Sequence, residues 1–247
     1  MIRSRDIDNQ RFVFTKKQSI ILLAHYFIGY YFVYSVVAAG ISMALYPDIQ
    51  GLHPKVMMGQ VLFMIISTVW IVKDPLKRSW RFFKANLKEN IASVFKSMFL
   101  LFLGNIVINI IIIYVLKVEM LPENQEIVES MIKSAALPMF LSTVVFAPLV
   151  EEIIFRGVLY QNLRSKTRFY FPMILSTLIF ASMHLVAGFV VGRGWTEFIF
   201  IFQYGLISLF MIRSMEETGT IVGAIGVHFL NNLLAYSVTL ASFIMFF

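Results

Sequence analysis

Seven polar residues lie inside stretches of sequence that are otherwise almost wholly apolar: Glu151, Glu152 and Arg156, then His184, then His228, Asn231 and Asn232. Glu152 and Arg156 are four apart, so on a helix they share a face and can pair. Glu151 is turned about 100° from Glu152 around the same helix and cannot comfortably share that arginine. One carboxylate is thus neutralised in place and the other is left for different work. A carboxylate in apolar surroundings is suited to general base or acid chemistry. His228 and Asn232 are also four apart. Such a pair can bind a metal, donate hydrogen bonds to a developing oxyanion, or simply pack two helices together. His184, preceded by Phe180 one turn earlier, reads either as a packing histidine or as a partner for these groups. A structural ion-pair knot is the plain alternative for Glu151, Glu152 and Arg156.

The surroundings give these residues their weight. Of 247 residues, 59% are hydrophobic and 14% charged, whereas a soluble domain has about a quarter charged. A soluble domain of this size would still need a polar surface, so much of this surface faces lipid. An ionisable group inside a membrane span costs about 2.5–3.5 kcal/mol on insertion scales and is a functional candidate by default. A spanning helix needs about 20 apolar residues. Seven segments qualify: Ser19–Leu45, Val56–Val72, Ile91–Leu116, Leu137–Tyr160, Pro172–Val191, Glu197–Ile212 and Thr220–Phe246. A break near Ser237 in the last would make eight. The expected fold is an all-α polytopic membrane bundle forming one domain over 1–247, with a core at about 137–235. The first apolar run, Ile20 to Leu45, exceeds the about 7–15 residues of a signal-peptide core and reads as a retained helix.

Basic residues alternate between the loops. One set of loops holds Arg3, Arg5, Arg11, Lys16, Lys17, Lys73, Lys77, Arg78, Arg81, Lys84, Lys88, Arg164, Lys166, Arg168 and Arg213; the other holds Lys55, Lys117, Lys133 and Arg193. This 15-to-4 bias places the N-terminus in the cytoplasm of a cell with the chain in its plasma membrane. The net charge of +7 is therefore a matter of topology and lipid head groups, and nucleic acid is not an expected partner. Leu76, Trp80, Phe83 and Leu87 alternate with basic residues as one helix face, which predicts a basic amphipathic surface helix near 75–90. Glu123 to Lys133 predicts a short polar helix on the opposite side. Pro148, three residues before Glu151, predicts a kink that opens room for water. Counting residues from the span ends puts Glu151, His184 and His228 in one layer, slightly nearer the cytoplasm.

No cysteine is present, which excludes thiolate metal sites and cysteine nucleophiles. Asp6, Asp8, Asp48 and Asp74 all lie outside the spans, which excludes a paired-aspartate enzyme. Ser182 is only two residues from His184, unsuited to a serine–histidine pair. No His-Glu-x-x-His helix occurs.

The order Glu151-Glu152-x-x-x-Arg156, Phe180-x-x-x-His184, His228-x-x-x-Asn232 resembles the CAAX-processing and bacteriocin-processing (Abi) family of intramembrane proteases, to which the type II CAAX prenyl endopeptidase belongs. The resemblance covers about 137–235. It implies an endopeptidase in which Glu151 and His184 activate a water and His228 and Asn232 stabilise the oxyanion. Glu152, Arg156 and Phe180 support the site, and Arg156 is also placed to meet a substrate carboxylate. The implied cofactor is either Zn²⁺, held by Glu151, Glu152, His184 and His228, or none, in a metal-free glutamate mechanism. The implied substrate is a hydrophobic or lipid-anchored peptide, a peptide-signal or bacteriocin-like precursor, reaching the site from the inner leaflet with help from the Trp80 helix. The competing readings are a non-catalytic scaffold, regulator or immunity protein on the same fold, and a small proton-coupled transporter, the latter disfavoured by the lack of repeats.

Overall fold

The computed structural model describes residues 14–49 and 51–245. Arg3, Arg5, Arg11 and Phe246 of the sequence reading lie outside the described residues. Among the described residues, seven helices are long and apolar enough to cross a membrane: α1 (Lys16–Leu45), α2 (Pro54–Ile71), α4 (Leu87–Val115), α5 (Glu123–Arg164), α6 (Tyr170–Val190), α7 (Trp195–Thr218) and α8 (Ile221–Met245). Between α2 and α4 lies the surface helix α3 (Lys73–Ala85). The chain is an integral membrane helical bundle. α8 runs unbroken past Ser237, so the last span is one helix.

α5 is the central element. Of its apolar stretch 44% is buried, against 11–39% for the other spans. Ile153, Ile154, Phe155, Arg156 and Tyr160 are all almost fully enclosed. α5 packs against α6, α8 and α2, while α7 joins α4, α6 and α8 around it. The expected separate polar helix at 123–133 is instead the first part of α5. The two parts meet at a kink where Ala135 leaves helical geometry (φ −145°, ψ 55°). Pro138 accounts for it, because its ring clashes with the backbone one turn earlier. The nearby carbonyl of Ala136 is satisfied by the Tyr236 hydroxyl of α8 at 3.0 Å. Pro148 produces no such break. The helix takes it up in widened π-type turns over Leu141–Glu151 and again over Ile153–Gln161.

α3 is basic and amphipathic as expected, but its faces differ from the sequence reading. Pro75, Ser79 and Phe83 face the bundle, Trp80 is 48% exposed beneath Lys84, and Leu87 belongs to α4. The Ser79 carbonyl accepts the Thr220 hydroxyl, which docks α3 on the turn that ends α7. Gly219 makes that turn with φ +69°, a left-handed conformation suited to glycine.

At the opposite end, Arg193 ties the loop after α6 to the start of α5. Its guanidinium reaches Glu123 at 2.5 Å, Glu126 at 2.6 Å and the Leu121 carbonyl at 2.7 Å. Hydrogen bonding to Glu126 and the nearby acids hold its proton more tightly than usual. The buried Glu197 accepts the Glu123 backbone N–H, an acid at a helix start as the helix dipole favours. We expect Arg193→Gln to speed hydrogen exchange over 121–133 while leaving 150–160 unchanged. Unaltered exchange over 121–133 would mean that other contacts hold the start of α5.

Candidate functional site

α5 places Glu151 and Glu152 side by side but in different surroundings. Glu152 and Arg156 are both fully buried and pair through two contacts of 3.1 Å. Arg156 is further held by the Ser208 hydroxyl at 3.0 Å, the Ser208 carbonyl at 3.3 Å and the Met211 sulfur at 3.2 Å, all from α7. Its guanidinium lies 4.5 Å from the Phe180 ring centroid of α6, a cation–π contact. This enclosure corrects one expectation: Arg156 has no exposed surface with which to meet a substrate carboxylate.

His228 of α8 completes the knot. Its Nδ1 lies 2.9 Å from Glu152 Oε1. An ionised carboxylate only accepts, so the imidazole nitrogen donates. Four helices, α5, α6, α7 and α8, are thus joined through one guanidinium and one carboxylate. The i,i+4 pair was readable from spacing; its cross-helix partners Ser208, Met211 and His228 were not.

Glu151 stays apart from this knot. Its Oε2 is buried with no hydrogen-bond partner among the described residues. His184 Nε2 approaches it to 3.9 Å, beyond direct hydrogen bonding. The other nitrogen, Nδ1, donates to the Phe180 carbonyl at 2.8 Å. In both histidines Nδ1 is committed, which leaves Nε2 as the nitrogen available for chemistry. Phe180 therefore supports the site twice, by its carbonyl and by its ring.

Asn232 donates from Nδ2 to the Thr143 carbonyl at 2.9 Å, and its Oδ1 accepts from Asn231 at 3.1 Å. These bonds fix the amide and leave its second N–H uncommitted. Glu151, Phe180, His184, His228, Asn231 and Asn232 all line one cavity of 540 Å³.

The structure adds a residue that sequence reading missed. Tyr26 of α1 is 1% exposed, and its hydroxyl lies 3.5 Å from Glu151 Oε1 and 3.3 Å from the Tyr31 hydroxyl. Nothing in the spacing of α1 marks it among 10 tyrosines. His25 of α1 lies apart from the site, packed between α1 and α2 and bonded to Tyr34 and Ser67.

The donor set does not fit a shared metal ion. Among the described residues, no three His, Cys, Asp or Glu side chains gather to hold one. Glu152 is turned to Arg156 and His228 and is closed off from the cavity.

Stability separates the two carboxylates. Removing one partner of a buried ion pair leaves an uncompensated charge and costs about 3–5 kcal/mol. Arg156→Met is expected to lower the unfolding temperature in detergent sharply, whereas Glu151→Gln changes it little, since Oε2 loses no bond. Equal losses for both variants would make Glu151 part of the structural knot.

Residues 133–234 match the family model described as type II CAAX prenyl endopeptidase Rce1-like. The Bacillus subtilis (strain 168) protein named "Putative membrane peptidase YdiL" is 36% identical over 62 residues, which is 25% of this chain and 25% of that protein. The similarity thus spans about a quarter of that relative's length. No solved structure matches the chain. The family segment runs from the kink of α5 to the middle of α8 and holds every residue of the knot as well as Glu151 and His184. Over residues 133–234 the chain is thus similar to the type II CAAX prenyl endopeptidase Rce1-like family, and the motif residues Glu151, Glu152, Arg156, His184, His228 and Asn232 all fall within that segment.

Proposed function

We propose that the protein is an intramembrane endopeptidase that hydrolyses a membrane-associated peptide with Glu151 as general base. The observation that carries this reading is the contrast between neighbouring carboxylates. Glu152 lies against the Arg156 guanidinium with both oxygens at 3.1 Å and accepts from His228, while Glu151 has no guanidinium in contact and turns a buried oxygen without a hydrogen-bond partner toward His184 at the wall of a cavity. The family match supports the reaction class.

A water within reach of Glu151 Oε2 and His184 Nε2 donates a hydrogen to each. Its lone pair is then free to attack a peptide carbonyl carbon. As the C–O bond forms, Glu151 takes a proton, and it returns that proton to the amide nitrogen when the C–N bond breaks. Two groups face the developing oxyanion: the Nε2 of His228 and the uncommitted N–H of Asn232. Tyr26 restrains the second oxygen of Glu151. The substrate is a hydrophobic or lipid-anchored peptide, with peptide-signal or bacteriocin precursors suggested by family analogy alone. The charge bias of the loops supports a plasma-membrane protein with a cytoplasmic N-terminus.

The test is cleavage of candidate peptides by protein in nanodiscs, read by mass spectrometry. Glu151→Gln and His184→Ala are expected to lose at least about 100-fold in rate with folding intact, and the exposed Glu89→Gln to keep it. Because no metal set converges, cleavage is expected to survive EDTA and 1,10-phenanthroline. If Glu151→Gln cleaves normally, or if no peptide is cut while a cellular phenotype persists in that variant, the site is structural and a scaffold or regulatory role replaces the enzyme.

A further inference from the structure

The cavity is lopsided. Its floor is Glu151, Phe180, His184 and His228, and from there it extends in one direction to the exposed loop at Leu121 and the first turns of α5. No residue of α3, of the 165–170 loop or of the 213–220 turn lines it. The end at Leu121 therefore lies opposite the basic loops, at the face that charge bias assigns to the outside of the cell.

The chemistry of this arm is as uneven as its shape. Besides Asn232, five carboxamides line the cavity: Asn105 from α4, Asn124 and Gln125 from α5, Gln203 from α7 and Asn231 from α8. Amide side chains at membrane depth are costly unless something pairs with them; Gln125 bonds Glu129, Asn231 bonds Asn232 and Asn124 bonds Tyr204, which leaves Asn105 and Gln203 as the amides open to a ligand. The Oδ1 of Asn105 is buried without a hydrogen-bond partner among the described residues. A carboxamide offers both donors and acceptors, the complement of a peptide's own C=O and N–H groups. An acyl or prenyl chain satisfies neither. Glu129 also lines the arm, and no Lys or Arg does, which favours neutral or cationic segments over acidic ones. A volume of 540 Å³ lies within the about 300–1,000 Å³ usual for ligand sites.

We propose that the amide-lined arm, whose wall carries Asn105 and Gln203 between Glu151 and the Leu121 rim, binds the backbone of an extended, non-acidic peptide segment that arrives from the face opposite the basic loops. This rests on the peptidase reading for what happens at Glu151, but the arm can be tested without cleavage. It also reverses the expectation of access from the inner leaflet beside Trp80.

The chain has no cysteine, so single cysteines report their own accessibility. Gln203→Cys and, as the opposite-face control, Ser165→Cys are each made in the Glu151→Gln background and displayed in intact cells. A membrane-impermeant maleimide is expected to label Gln203→Cys at least about ten times faster than Ser165→Cys, which labels only after permeabilisation. An acetylated and amidated alanine–leucine hexapeptide is expected to slow labelling at 203, a glutamate-rich hexapeptide to slow it less, and farnesol not at all. Labelling of position 203 only after permeabilisation, no labelling from either side in folded protein, no protection by the neutral peptide, or protection by farnesol instead would each overturn the proposal. In the cleaving protein, Asn105→Leu is expected to raise KM about five- to tenfold with kcat within about twofold. Loss of kcat alone would place Asn105 with the chemistry instead. Failure of the peptidase reading shows separately, as cleavage unaffected by Glu151→Gln.

Discussion

A permanently charged guanidinium held at zero exposure inside a membrane bundle is the constraint on which the rest of this structure depends. Arg156 cannot shed its proton, so the surrounding helices must supply an anion and acceptors in fixed places. Glu152 supplies the charge one turn away, Ser208 supplies the oxygens from α7, and Phe180 supplies a ring face from α6. Once Glu152 is spent in this way, its second task is to orient His228. The chemistry assigned to Glu151 and His184 then occupies what is left over, a carboxylate oxygen and an imidazole nitrogen that the knot does not consume. Structure and reactivity are divided between adjacent residues because a helix turns about 100° per residue.

Much of this was legible before any coordinates. Lipid imposes a minimum length and an apolar composition on every span, so seven spans could be read from sequence, with errors only at their ends. Apolar composition alone starts α5 at Leu137, because Glu123–Lys133 is polar. The helix nevertheless continues through that segment, where Arg193 and Glu197 hold its first turns. The polar residues of the site stood out because charge is expensive in hydrocarbon, and the Glu152–Arg156 pair followed from helical spacing.

What remained hidden depends on contacts between helices far apart in sequence. Tyr26 sits 125 residues from Glu151 and looks like any aromatic in a lipid-facing helix. A helical wheel shows that α3 has an apolar stripe, but not that Phe83 is the edge that docks while Trp80 turns outward. The direction of the cavity is likewise a product of how α4, α5, α7 and α8 diverge, which no motif records. Pro148 illustrates the converse case. Its presence suggested a kink, yet the backbone spreads the strain over widened turns and keeps the helix axis continuous past the site.

The positions of the partners of Arg156 along the chain bear on biogenesis. A ribosome delivers α5 to the membrane before α7 and α8 exist, so the helix with three buried charged groups meets the bilayer without Ser208 or His228. Glu152 is the one partner that travels with Arg156 in the same helix, and it lets the guanidinium be neutralised while the segment is still in the insertion channel. The hydroxyl on α7 and the imidazole on α8 arrive afterwards, in that order. Maturation of the knot thus waits for α8: a chain that stops before His228, which orients against Glu152, can insert α5 but cannot assemble the site around it.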